Sequence, residues 1–183
     1  MTGGQDNVDA FKSLASTEVY NPVAGTWTAK GNMGKSRTYH TATLLPSGKV
    51  LVAGGAECSC KIPVGATSCV ESRNVLSSAE LYDPETGTWT ATGSMTMAHY
   101  LGTNTLLCNG TVLAVGGYNT NLSDPTLASA EIYDPTTGTW TTTSSMAAAS
   151  CSHTAVALAN GKVLITAGDG RPGGYFLARS EVY

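Results

Sequence analysis

Short apolar runs, each cut off by glycine, proline, asparagine or aspartate, recur along the chain, as in Val50-Leu51-Val52-Ala53 before Gly54-Gly55. Val112-Leu113-Ala114-Val115 before Gly116-Gly117 and Val163-Leu164-Ile165-Thr166 before Ala167-Gly168 repeat the arrangement. Apolar runs of this length bounded by turn residues predict strands, and no segment keeps the 3.6-residue spacing of a helix. Thr38 to Leu45 and Lys49 to Ala53 are separated by Pro46-Ser47-Gly48, which predicts a hairpin. Ala79 to Tyr82 and Thr88 to Thr92 predict a second, closed by Asp83-Pro84-Glu85-Thr86-Gly87. In that turn aspartate opens the reversal, proline presets φ, and glycine supplies a positive φ.

The two hairpins form one tile, and the tile repeats. Tyr82-Asp83-Pro84-Glu85-Thr86-Gly87-Thr88-Trp89 has counterparts at Tyr20 to Trp27 and Tyr133 to Trp140, and a fourth copy opens at Glu181-Val182-Tyr183. The tyrosines lie 62, 51 and 50 residues apart. A methionine follows each tryptophan by six residues (Met33, Met95, Met146), and a glutamate precedes each tyrosine by two (Glu18, Glu80, Glu131, Glu181). A period near fifty built from short strands and glycine turns predicts propeller blades of four antiparallel strands. The chain then divides into a partial blade (1–36), two full blades (37–97 and 98–148) and a second partial blade (149–183). Gly3-Gly4 takes the place of Gly54-Gly55, because Gly4 precedes Tyr20 by the same 16 residues that separate Gly117 from Tyr133. The rival reading, that Met1 to Gln5 is an expression-tag remnant, does not account for that spacing.

The glycine doublet, the later Tyr-Asp-Pro and the tryptophan six residues beyond its aspartate resemble the kelch repeat, and the resemblance covers essentially the whole chain. It implies an all-β kelch-type propeller, or part of one, of four-stranded antiparallel blades. Asn21 and Ala167 depart from the pattern. Propellers close with about four to eight blades, and half-made blades leave open strand edges. Completion is therefore expected from a second copy, as a homo-oligomeric ring, or from the remainder of a longer propeller.

Composition narrows the partners. The chain has 183 residues and a net charge of -3 without a basic cluster, which argues against nucleic acid and acidic membrane surfaces. No apolar run is long enough to span a bilayer as a helix. Cys58, Cys60 and Cys69 fall in the segment that lengthens the first tile spacing by eleven residues (62 against 51). A loop-closing disulfide of Cys58 or Cys60 with Cys69 is expected, with a metal site lacking its fourth ligand as the alternative. Loop cysteines favour an extracellular, secreted protein. Asn109-Gly110-Thr111 and Asn121-Leu122-Ser123 fit the glycosylation acceptor pattern.

Catalytic motifs are not found: there is no nucleophile elbow, His-Glu-x-x-His pair or phosphate loop. His40 and His153 hold equivalent tile positions and, with Arg37, are read as hydrogen-bonding within blades to the recurring glutamates. The segments after each glycine pair differ most between tiles and are expected to share one face. They carry Asp6, Asp9, Lys61, Arg73, Tyr118, Asp124, Arg171 and Tyr175, suited to polar protein or glycan contacts. Asp6-Asn7-Val8-Asp9 is oxygen-rich enough to hold calcium, though such segments are also ordinary turns. Arg37-Thr38-Tyr39-His40-Thr41 is similar to one blade of galactose oxidase, and that resemblance implies copper ligands at Tyr39 and His40. The further histidine and the cysteine-linked tyrosine of that family have no counterpart here. Three readings follow: a non-catalytic module binding protein or carbohydrate through its loop face without a cofactor, a fragment of a copper-radical oxidase, and a structural or engineered ring-assembly unit.

Overall fold

The computed structural model describes residues 2–6, 12–61, 70–170 and 178–183, with the side chains of Asp6, Cys60, Lys61, Val70 and Glu71 left out. Among them every regular element is a strand. The first partial blade contains β1 (Gln5–Asp6), β2 (Lys12–Ser13), β3 (Glu18–Asn21) and β4 (Thr26–Ala29). The next has β5 (Thr41–Leu44), β6 (Val50–Ala53), β7 (Ala56–Lys61), β8 (Val70–Val75), β9 (Ala79–Asp83) and β10 (Thr88–Thr92). Then come β11 (Thr103–Leu106), β12 (Val112–Val115), β13 (Ala130–Asp134) and β14 (Thr139–Thr143). Last are β15 (Thr154–Ala157), β16 (Val163–Thr166) and β17 (Ser180–Val182).

Two complete sheets run β5-β6-β9-β10 and β11-β12-β13-β14, flanked by the two-stranded β3-β4 and the three-stranded β15-β16-β17. All pairings are antiparallel, and the register repeats: Val50 faces Tyr82 and Val112 faces Tyr133. The second strand of each full blade is buried on both faces, which is why it reads as an unbroken apolar run. Leu51, Val112, Leu113, Tyr133 and Val163 lie at zero exposure in the cores between sheets.

The glycine pairs are the seams between blades. The second glycine donates its N–H to the opening segment of the following blade: Gly4 to Arg37 O at 3.0 Å, Gly55 to His99 O at 2.9 Å, Gly117 to Ser150 O at 2.9 Å. A Cβ on Gly3 would stand 2.6 Å from Arg37 O, and one on Gly54 2.6 Å from His99 O. Close approach therefore excludes a side chain there, besides the positive φ. Ala167 adopts the same left-handed backbone (φ 59°) but is exposed, so its methyl group meets no such carbonyl.

Two local features differ from expectation. The first strand begins at Thr41 and not at Thr38, because Thr38 forms a separate bridge with Ala56 and Tyr39 turns left-handed between them (φ 54°). The segment lengthened in the first full tile is itself a hairpin, β7-β8, paired from Ala56↔Val75 to Lys61↔Val70. Alternation of polar with small residues in Glu57-Cys58-Ser59-Cys60 was too weak an apolar pattern to announce it.

Candidate functional site

Each tile enters its first strand through a residue at positive φ: Tyr39 (54°), Leu101 (58°) and Ser152 (54°). They are joined across blades, with Leu101 N–H donating to Tyr39 O at 3.3 Å and Ser152 N–H to Leu101 O at 2.8 Å. A left-handed non-glycine residue costs about 1–2 kcal/mol, and these bonds offset that cost. The preceding residues, Thr38, Tyr100 and Cys151, bridge to Ala56, Tyr118 and Asp169 just beyond each glycine pair.

On this frame stands a cluster of three tyrosines and one arginine. Tyr39 and Tyr100 have ring centroids 6.0 Å apart, and Tyr100 meets Tyr118 edge-on at 5.7 Å. Arg73, projected by β8, lies over the Tyr100 ring at 5.1 Å and the Tyr39 ring at 6.0 Å. Its Nη1 donates to Tyr100 Oη at 2.8 Å. Tyr100 is buried, Tyr118 half-buried, and Tyr39 46% exposed, so one aromatic face stays open to solvent. Burial pushes the Tyr100 phenol up, while the Arg73 cation opposes the shift. Rigid tyrosines beside an arginine are what protein-binding hot spots are commonly made of.

Of the residues expected to bind, the structure brings Arg73 and Tyr118 together in this cluster. Asp124 lies apart, exposed on the segment closed by the Tyr118↔Thr126 bridge. Asp6 pairs with Lys12 through its backbone, and Lys61 ends β7. Asp9, Arg171 and Tyr175, with Asn7 and Val8 of the calcium-like stretch, lie outside the described residues. Cys58 is a buried free thiol opposite Arg73. The Cys60 side chain and Cys69 lie outside the described residues.

Tyr39 and His40 part company. While Tyr39 packs on Tyr100, His40 lies beside the backbone of Arg37 and Thr2. Burial, helped by the Arg37 charge, holds His40 down at about 4. Among the described residues no three of histidine, cysteine, aspartate and glutamate gather to hold a metal ion. His153 donates to or accepts from Thr103 Oγ1 at 2.9 Å and not a glutamate.

The glutamates instead tie the inter-blade connections down. Glu80 accepts from Gly34 N–H at 2.6 Å and Lys35 N–H at 3.2 Å, Glu131 from Thr96 and Met97 N–H at 2.8 Å each, and Glu181 from Ala147 N–H at 2.6 Å. Arg37 pairs with Glu80 at 2.7 Å, whereas His99 stands in the equivalent place beside Glu131. Burial lowers the His99 pKa. Sequence reasoning passed over Tyr100 and His99. The signal available was their alignment with Thr38 and Arg37, where the tiles disagree.

Comparison with known proteins agrees with this architecture. Residues 100–147 match the Kelch motif. The F-box/kelch-repeat protein SKIP30 of Arabidopsis thaliana is 31% identical over 112 residues, covering 61% of this chain and 27% of that protein. The solved structure of YjhT superposes with a TM-score of 0.68 at 19% identity, covering 94% of this chain and 58% of that one, a likeness of fold. The chain thus spans about a quarter of the curated relative it matches. Residues 100–147 are a kelch motif, and the chain as a whole has the fold of a kelch-type β-propeller, in whole blades and partial ones.

Proposed function

We propose that this chain is a non-catalytic interaction module whose loop face binds a protein partner, anchored on Arg73, Tyr39, Tyr100 and Tyr118. Kelch repeats generally mediate protein interactions, which supports the class of partner. The carrying observation is the exposed Tyr39 ring, held at a fixed left-handed backbone beside an arginine already bound by Tyr100 Oη. Such a group loses little conformational freedom on binding, so most of its contact energy is retained. Carbohydrate is the competing ligand, since exposed tyrosine also stacks on sugars.

Selection of displayed peptides against the protein tests this directly. Selected peptides should lose at least about tenfold in affinity, roughly 1.4 kcal/mol, on Tyr39→Ala or Arg73→Ala. Peptides indifferent to both substitutions would remove the cluster from the reading. A glycan array with Tyr39-dependent binding, and no selected peptide, would move the partner class to carbohydrate.

A further inference from the structure

The turn between β11 and β12 departs from the repeat in one residue. Asn109 braces it, with Thr111 N–H donating to Asn109 Oδ1 at 3.1 Å and Gly110 N–H to Leu107 O at 3.0 Å. The last blade builds the same turn from Asn160-Gly161-Lys162, where Lys162 N–H donates to Asn160 Oδ1 at 3.1 Å. Holding the turn therefore does not require a threonine. The other two blades place lysine there, Lys49 and Lys162, and Lys49 pairs with Asp83 at 3.2 Å. With Thr111 in that position, Asp134, the counterpart of Asp83, lacks the lysine of its own blade.

What the exchange supplies is a second bond, from Thr111 Oγ1 to Asn109 Oδ1 at 2.7 Å, in the order Asn-Gly-Thr. A backbone N–H can only donate, so the carboxamide is fixed with its oxygen towards the turn and Nδ2 away from it. Asn109 is exposed, and among the described residues nothing bonds to Nδ2. The other acceptor pattern, Asn121-Leu122-Ser123, is built differently. Asn121 N–H donates to Asn119 Oδ1 at 3.0 Å, and among the described residues no bond joins the Asn121 and Ser123 side chains. Beside Asn109, between the two complete blades, runs a cleft of about 450 Å³. Leu45, Pro46, Leu81 and Pro135 give it apolar walls, and Asp134 a carboxylate.

We propose that Asn109 is the acceptor of an N-linked glycan when the chain passes through a secretory compartment, and that the first sugar lies in this cleft. The bond formed joins Asn109 Nδ2 to the anomeric carbon of a lipid-linked diphosphate oligosaccharide. The bond broken joins that carbon to the diphosphate, which leaves with the lipid, while one Nδ2 proton passes to a base of the transferring enzyme. A sugar ring offers its apolar face to the proline and leucine side chains and its hydroxyls to Asp134, and the cleft has the size of a small-ligand site. The turn lies at the strand ends opposite the glycine pairs, so a glycan here leaves the tyrosine cluster uncovered.

The test is secretion of the chain from a eukaryotic cell behind a cleavable leader, followed by glycopeptide mass spectrometry. Asn109 should be occupied in most molecules and Asn121 in few. Thr111→Lys, which installs the residue of the sister blades, should abolish occupancy at Asn109 while the protein is still secreted. Protein trimmed by an endoglycosidase to the first sugar should melt about 2–4 °C above the same chain made without glycosylation in bacteria. Bare Asn109 in the secreted chain, or modification of Asn121 in its place, overturns the acceptor. Equal melting of the trimmed and the unmodified chains overturns the placing of the sugar in the cleft.

Discussion

Arg37 is the most heavily committed side chain in the molecule. Its guanidinium is fully buried and donates to Gly54 O at 2.7 Å, Ser78 O at 3.0 Å, Ser78 Oγ at 3.3 Å and Glu80 Oε1 at 2.7 Å. Arg37→Met keeps much of the aliphatic stem and deletes every one of those bonds. Glu80 would then be a buried carboxylate held by two backbone N–H groups without its cation. Breaking a buried pair from one side costs about 3–5 kcal/mol. For a chain of this size that corresponds to a melting temperature lower by about 6–20 °C. Urea unfolding followed by tryptophan fluorescence measures it. Arg37→Met combined with Glu80→Met should recover part of the loss, because no charge is then stranded. A single-variant loss below about 1 kcal/mol, or strict additivity in the double variant, would refute the assignment of Arg37 as the brace of this blade.

Trp89 links blades by donating Nε1–H to Gly31 O at 3.0 Å and to Thr17 Oγ1 at 3.1 Å, so Trp89→Ala should cost about 3 kcal/mol in chemical denaturation. A loss under about 1 kcal/mol would contradict that linkage. Acid should weaken the fold before the carboxylates titrate. His40 is held at about 4 against an ordinary 6.5, so the unfolded chain takes up its proton first. Stability present above about pH 6.5 is then lost as pH falls towards 4, by up to about 3 kcal/mol for this one group. His99 and His153, also lowered by burial, act in the same direction. Denaturation midpoints that stay flat between pH 7 and 5, or that move in His40→Gln as they do in the parent, would exclude this origin.

The hairpins and their grouping into four-stranded blades were readable because the tile repeats: a double-sided apolar run closed by glycines has few other fates than the second strand of a blade. The β7-β8 hairpin escaped, since the face it buries is made of the small Ala56 and Cys58 with Val75, and these alternate with Glu57 and Ser59 too weakly to read as a strand. The candidate cluster was half visible. Arg73 and Tyr118 stood out as polar or aromatic residues in divergent segments, whereas Tyr100 was passed over, because it is the Tyr100↔Tyr118 bridge that brings the two together. The role of the recurring glutamates was misassigned in part. A carboxylate spacing in sequence does not say whether it meets a histidine or a backbone N–H, and here geometry chose the backbone for Glu131 and Glu181.

Tyr39, Leu101 and Ser152 share one backbone shape and one pattern of inter-blade bonding while differing in everything their side chains offer. The main chain supplies the bonds that join these stations, while the side chains take different places: Leu101 packs against the Ala56, Cys58 and Val75 cluster, and the Tyr39 ring stays largely open. The Tyr39 station therefore behaves as a display socket. An aromatic, an aliphatic or a hydroxyl group can be mounted without renegotiating how blades meet. A backbone with this property can change the chemistry it shows to solvent by exchanging one side chain, while the bonds between blades remain those of the parent.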